Sequence, residues 1–138
     1  KGLGAGLPIG AILFGKGCSH ALSAGDHGTT FGGNTAICAG AVEVLRRMDE
    51  AFLKQVTEKG EYMRDRIRKM EGVLEVTGLG MMFGITPKRK TAKEAAGSAL
   101  ELGLIVLTAK ERVRLLPPLT ITYEEMNEGL ALLEKALA

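Results

Sequence analysis

Aromatic side chains are scarce in this sequence of 138 residues. They make up 4% of it, and tryptophan is absent. Proteins that bind single-stranded nucleic acid stack the bases on aromatic rings, and this sequence has almost nothing from which to build such a surface. The charges agree, because 18 Lys and Arg are offset by 16 Asp and Glu, with both signs interleaved from Glu58 to Glu75. That pattern is typical of a solvated helix face, so we expect no nucleic-acid partner.

Long apolar runs are also missing. The longest stretch, residues 7–14, is interrupted by Pro8 and Gly10 and is far shorter than the ~20 residues that a membrane helix needs. We therefore expect no membrane partner. The run is better suited to a short buried strand, with Pro8 at its start.

Cysteine is rare as well. The two cysteines, Cys18 and Cys38, are too few for a disulfide framework, which favours a reducing, cytoplasmic compartment. Together with His20 and His27 they could be imagined as a zinc site. The Cys-x-His spacing is tighter than zinc sites normally use, so we expect no metal.

Glycine, by contrast, is abundant, with 19 residues, and it forms two loops that carry reactive groups. Lys1 directly precedes the first loop, and Thr29 and Thr30 lie in the second, just ahead of a predicted helix. An amine on a loop and hydroxyls before a helix start suit an enzyme that holds an aldehyde and a phosphate, as pyridoxal phosphate enzymes do. A dinucleotide site is disfavoured, because the first loop lacks GxGxxG spacing and Pro8 blocks a following helix.

A reactive lysine cannot work alone at residue 1, because other residues must hold the cofactor ring. We therefore expect the sequence to be the C-terminal part of a larger enzyme. Two helices should follow the second loop, one capped by Asn34 and one capped by Asp49 and ended by Gly72.

The remainder predicts a small domain. Two capping boxes, Thr91–Glu94 and Thr122–Glu125, each open a helix. Four strands are expected at residues 73–76, 81–85, 104–107 and 113–116. The order is strand, strand, helix, strand, strand, helix, which predicts a two-layer α/β domain with strands packed under helices.

Four segments together resemble the class III aminotransferases of fold type I, and within them the acetylornithine and ornithine aminotransferases. They are KGLGAGLPIGA (1–11), GDHGTTFGGN (25–34), VTGLGMMFGI (76–85) and VRLLPPLTIT (113–122). One departure is Thr35, where the family usually has proline. The resemblance implies an α/β fold, with residues 1–48 as the end of the large pyridoxal phosphate-binding domain. Residues 49–138 would be the linker helix and a small C-terminal α+β domain of two layers.

The resemblance also implies site residues. Lys1 is similar to the lysine that bonds covalently to pyridoxal 5'-phosphate and moves a proton between substrate and cofactor. Thr30 resembles the threonine that binds the cofactor phosphate across a dimer interface, and Thr29 the neighbour that contacts substrate. Arg114 resembles the arginine that grips the substrate α-carboxylate. Taken alone, each has a plainer interpretation: a solvated lysine, threonines that satisfy a turn, and an arginine guarding an edge strand.

The implied function is transfer of the terminal amino group of N-acetylornithine, or ornithine, to 2-oxoglutarate in arginine biosynthesis. The implied assembly is a cytoplasmic homodimer with a shared active site. Residues that bind the cofactor ring are expected outside this sequence, so the isolated chain should be inactive. Two alternatives stay open: an inert folded or dimerising module, and a class III aminotransferase for another amine.

Overall fold

The computed structural model describes residues 1–138 and divides the chain into two compact units, Lys1–Phe52 and Leu53–Ala138. The helices are α1 (Thr35–Arg46), α2 (Glu50–Arg68), α3 (Ala92–Glu101) and α4 (Tyr123–Leu137). The strands are β1 (Val73–Leu79), β2 (Met82–Pro87), β3 (Leu107–Ala109) and β4 (Arg112–Leu115). No helix is both long and apolar enough to cross a membrane. The assignment of residues 1–48 to a large cofactor domain stays a prediction.

The first unit is mostly loop ahead of α1. Its only regular element before that helix is a 3₁₀ turn at Lys16–Cys18. The strand predicted at residues 7–14 is wrong, and Ile12 and Leu13 are 78% and 96% exposed. A strand depends on hydrogen bonds to a neighbouring strand, and the chain's single sheet lies entirely between residues 73 and 115.

Both predicted N-caps are confirmed. The backbone N–H of Ile37 donates to Asn34 Oδ1 at 3.2 Å, and that of Phe52 donates to Asp49 Oδ1 at 2.8 Å. Each bond satisfies one of the amides that the first helical turn leaves without an intrahelical partner. Asn34 and Asp49 therefore mark the N-termini of α1 and α2.

The predicted stop of the second helix is corrected by the structure. Helix α2 ends at Arg68, four residues before Gly72. Gly72 instead lies against the end of α4, where an added Cβ would be 2.5 Å from the carbonyl oxygen of Leu137. Glycine at this position permits close approach of α4 to the chain ahead of β1.

The second unit has the predicted order of elements. Its four strands form an antiparallel sheet in the order β1-β2-β4-β3. Strand β3 begins at Leu107 rather than at residue 104, because Leu104 belongs to the capping turn that follows α3. Its N–H donates to the carbonyl of Ala99 at 2.8 Å, and Gly103 has the positive φ (88°) of a helix C-cap.

One face of the sheet packs on the helices and forms the core. The largest fully buried side chains are Phe83, Ile67, Ile85, Met126, Leu130, Leu133, Leu137 and Val113. Side chains alternate between the two faces of a strand, so burial of Val113 places Arg112 and Arg114 on the opposite face. Packing of the core therefore determines which charged side chains lie on the open face of the sheet.

Both predicted capping boxes are present, and that of α3 makes the stability of the unit depend on pH. The backbone N–H and the hydroxyl of Thr91 donate to the Glu94 carboxylate at 2.8 and 2.7 Å. These bonds lower the pKa of Glu94 below its usual value. A carboxyl whose pKa is lower in the folded state stabilises the fold above its unfolded-state pKa. The contribution is lost as the pH falls through the folded-state value.

We therefore expect Glu94→Gln to lower the free energy of unfolding at neutral pH but not in acid, where both side chains are uncharged. Urea titrations at pH 7 and at acid pH measure the difference. Glu128→Gln is the control, because Glu128 is an exposed glutamate of α4 without a hydrogen bond. If Glu94→Gln lowers the free energy of unfolding equally at both pH values, the ionised Glu94 carboxylate is not the source of the stabilisation.

Candidate active site

A groove of about 310 Å³ lies beside the start of α1 in the first unit. Its walls come from the first apolar segment, the second glycine loop and the first turn of the helix. The lining residues are Pro8, Ile9, Gly10, Thr29, Phe31, Gly32, Gly33, Asn34, Ile37 and Cys38. The two glycine-containing segments predicted to carry function thus meet at one place.

Glycine shapes the floor of this groove. A Cβ on Gly32 would overlap Cγ2 of Thr29, so only glycine allows the loop to fold back on the threonine. Gly33 has φ of 70°, the left-handed region that glycine adopts most readily. These conformations bring the Thr29 side chain to the beginning of α1.

The start of α1 supplies donors for an anion. Asn34 caps the N–H of Ile37, while the N–H groups of Thr35 and Ala36 have no hydrogen-bond acceptor in the chain. Free amides at a helix N-terminus, where the helix dipole is positive, suit a phosphate group. With a threonine hydroxyl and a loop closed by glycines, this donor set fits the phosphate of pyridoxal phosphate.

The other predicted residues of this unit lie outside the groove. Thr30 is exposed and is not among the groove's lining residues. Lys1 is also exposed, and its side-chain amine makes no hydrogen bond or ion pair. Its carbonyl accepts from the N–H of Gly6 at 3.1 Å, which closes the first glycine loop into a turn. The structure therefore joins Thr29, but not Lys1 or Thr30, to the start of α1.

Arg114 belongs to the second unit, in β4, where Gly84 of β2 and Leu107 of β3 are its cross-strand partners. Its Nε is buried and has no hydrogen-bond partner, and its guanidinium makes no ion pair. A buried donor without a partner costs free energy until an acceptor arrives. Arg114 is therefore suited to receive an anion.

Around Arg114 the walls are mainly apolar. The residues that line a cavity of about 300 Å³ with it are Met63, Leu104, Ile105, Val106, Leu107, Leu115, Leu116, Pro117, Pro118, Ile121, Glu125, Met126, Gly129 and Leu130. The planar guanidinium of Arg114 can bind a carboxylate with two parallel hydrogen bonds. The arrangement suits a ligand with one carboxylate and an aliphatic chain.

Sequence reasoning missed a second arginine next to the predicted one. Arg112 lies on the same face of β4 as Arg114 and lines a neighbouring groove with it. The signal was available, because Arg-Val-Arg alternates at the spacing of a strand. Its partners, Glu75 and Thr77, could not be read from that pattern.

No cluster of His, Cys, Asp and Glu is arranged to hold a metal ion. Cys18 and Cys38 are both free thiols.

Comparison with known proteins identifies the family of the chain. The chain matches the aminotransferase class-III family model over residues 1–137. It is 41% identical over 139 residues to the acetylornithine aminotransferase of Corynebacterium efficiens and 37% identical over 139 residues to that of Haemophilus ducreyi. In both cases all of this chain aligns, with 35% of the relative.

The fold also matches that of a solved aminotransferase structure. The ornithine aminotransferase of Toxoplasma gondii, crystallised with oxidised glutathione and carrying pyridoxal phosphate at partial occupancy, matches with a TM-score of 0.73 and 29% identity. The match covers 83% of this chain and 29% of that one.

The chain therefore spans about a third of the length of the curated relatives that it matches. Its helices and small antiparallel sheet have the fold of part of a fold-type I aminotransferase, as the sequence motifs predicted. The chain belongs to the class III aminotransferases.

Proposed function

We propose that this chain is the C-terminal part of a pyridoxal phosphate-dependent aminotransferase acting in arginine biosynthesis. The enzyme takes the terminal amino group of N-acetylornithine and passes it to 2-oxoglutarate. Identities of 37% and 41% to acetylornithine aminotransferases support this substrate. The observation that carries the proposal is the unpaired, partly buried guanidinium of Arg114.

Arg114 binds the α-carboxylate of the substrate in this proposal. The unpartnered Nε–H and a terminal N–H of one guanidinium can meet the two oxygens of a carboxylate side by side, a geometry that lysine cannot copy. The mainly apolar cavity that Arg114 helps to line is suited to the carbon chain of the substrate.

The donors at the start of α1 would hold the cofactor through its phosphate. In this proposal the hydroxyl and amide of Thr30 reach the site of a partner subunit in a homodimer, and Thr29 contacts substrate. The support is the set of free amides beside Thr29 and the tight glycine turn that follows it. We place the enzyme in the cytoplasm, where two free thiols stay reduced.

Lys1 is the residue proposed to hold the cofactor covalently. Bound pyridoxal phosphate supplies an aldehyde that accepts an amine and a ring that withdraws electrons from the adjoining carbon. The side-chain amine of Lys1 would carry the proton between the substrate carbon and the cofactor. The support is the KGLGAGLPIGA motif that Lys1 opens, in a chain that matches the family model from residue 1 onward.

Replacing Arg114 with alanine should lower kcat/KM for N-acetylornithine more than tenfold. The reason is that a charge-assisted bond to a carboxylate is worth at least ~1.5 kcal/mol. Steady-state kinetics on the complete enzyme measure the effect, and Arg89→Ala is the control, because Arg89 pairs with Glu71 elsewhere on the same unit. An unchanged kcat/KM would remove Arg114 from the site. Equal losses on a plain amine without a carboxylate would also contradict the assigned contact.

Borohydride reduction of the complete enzyme with pyridoxal phosphate should attach the reduced cofactor to Lys1. Peptide mass spectrometry locates the adduct, and Lys1→Ala should abolish it. Lys16→Ala is the matched control, since Lys16 is another exposed lysine in a glycine-rich loop. An adduct on any other lysine of the wild-type enzyme would overturn the role of Lys1.

The neighbouring threonines provide a paired test. We expect Thr30→Ala to raise the dissociation constant of pyridoxal phosphate by about tenfold, the value of one charge-assisted hydrogen bond. We expect Thr29→Ala to change mainly KM for the amino donor. Fluorescence titration with cofactor and steady-state kinetics separate the effects. The reverse pattern would exchange the two roles, consistent with the position of Thr29 in the groove.

A further inference from the structure

Arg112 is tied to the far edge of the sheet. Its two terminal nitrogens donate to Glu75 Oε2 and Thr77 Oγ1, each at 2.8 Å. Both partners belong to β1, whereas Arg112 belongs to β4, and β2 lies between these strands. The side chain of Arg112 therefore crosses β2 on the open face of the sheet.

Gly84 leaves room for this crossing. A Cβ at Gly84 would lie 3.2 Å from Cδ of Arg112 and 3.0 Å from Oγ1 of Thr77, so any larger residue would crowd both. Gly84 is also the cross-strand partner of Arg114. The space over β2, next to Arg114, is thus filled by the side chain of Arg112.

Several charged side chains surround Arg114 on the open face of the sheet. The groove shared by the two arginines is also lined by Lys110 and Glu111, and Glu75 lies at its β1 side. Strand β1 lies two strand spacings, roughly 10 Å, from β4, and the bond from Arg112 to Glu75 shows that an arginine of β4 spans this separation. Arg112 holds the Glu75 carboxylate, while Arg114 makes no ion pair at all. The carboxylate of Glu75 is thus occupied by Arg112, two residues from Arg114 on the same face.

We infer that Arg112 is a positioning residue for Arg114. It withholds the Glu75 carboxylate and occupies the space above Gly84, which keeps the Arg114 guanidinium unpaired and available to a carboxylate of the substrate. The structural part of this inference concerns the chain alone, and its consequence for the substrate rests on the proposed function.

The structural part is tested by nuclear magnetic resonance of the arginine Nε–H groups in the complete enzyme. In the wild type, Glu75→Gln should leave the Arg114 Nε–H resonance unchanged. In Arg112→Ala, the Arg114 resonance should move, and adding Glu75→Gln should return it to its original position. If Arg112→Ala leaves the Arg114 resonance where it was, or if Glu75→Gln does not reverse the shift, the inference is wrong.

The functional part is tested by kinetics of the complete enzyme. Arg112→Ala should raise KM for N-acetylornithine about three- to fivefold, the strength of competition from an exposed ion pair, with kcat at saturation unchanged. Adding Glu75→Gln should restore KM. Glu111→Gln in the same background is the matched control, because it removes a carboxylate from the same groove outside the ion pair.

The outcomes separate the two proposals. A KM that Glu75→Gln fails to restore, or that Glu111→Gln restores equally well, overturns the role of Arg112 even if Arg114→Ala has its expected effect. If Arg114→Ala leaves KM unchanged while the resonance shifts occur as described, the carboxylate contact of the proposed function fails. The interplay of Arg112, Glu75 and Arg114 would then stand without it.

Discussion

The burial of Val113 is the constraint on which the second unit depends. Val113 is completely buried between the sheet and the helices, and its cross-strand partner Ile85 is buried with it. Because side chains alternate along a strand, a slip of one residue would expose Val113 and bury Arg112 and Arg114. Burying two guanidinium groups without partners would cost far more than the slip could return. Packing of the hydrophobic core therefore determines that Arg112 and Arg114 lie on the open face of the sheet.

Close approaches at glycine recur wherever the structure brings distant segments together. Gly60 of α2 lies against the turn between β1 and β2, where an added Cβ would be 2.6 Å from the carbonyl oxygen of Gly80. Gly72 admits the end of α4, Gly84 admits Arg112, and Gly32 admits Thr29. An added Cβ would overlap with neighbouring atoms at Gly60, Gly72 and Gly32, whereas at Gly84 it would crowd the side chains of Arg112 and Thr77. Several of the chain's glycines thus lie where segments distant in sequence come into close contact.

Charged groups fall into two kinds in this chain. The pairs Arg47–Glu43, Lys54–Glu58, Arg89–Glu71 and Arg112–Glu75 are all substantially exposed. Exposed pairs of this kind contribute ~1 kcal/mol or less, so they do little to hold the fold together. Arg114 is different, because part of its guanidinium is buried and unpaired. A buried donor without a partner lowers the stability of the fold. Such a group is typical of a binding site and not of a residue that only stabilises the fold.

Local features were predictable because their partners lie within a few residues of each other. The capping boxes at Thr91 and Thr122, the caps at Asn34 and Asp49, and the order of strands and helices all follow from patterns of this kind. The motifs around Lys1, Thr29 and Arg114 likewise predicted the family. The strand expected at residues 7–14 failed, since strand formation requires a pairing partner that no local pattern supplies.

By itself, then, the sequence determined where helices begin, which residues alternate into the core and to which family the chain belongs. Only the tertiary structure decided that Gly72 serves packing and that β3 starts after the cap of α3. It alone decided that Arg112 reaches Glu75 across Gly84, a contact between residues 37 apart in the chain. The physical reason is strand register, which is set by burial over the whole sheet and brings together side chains that no short stretch of sequence relates.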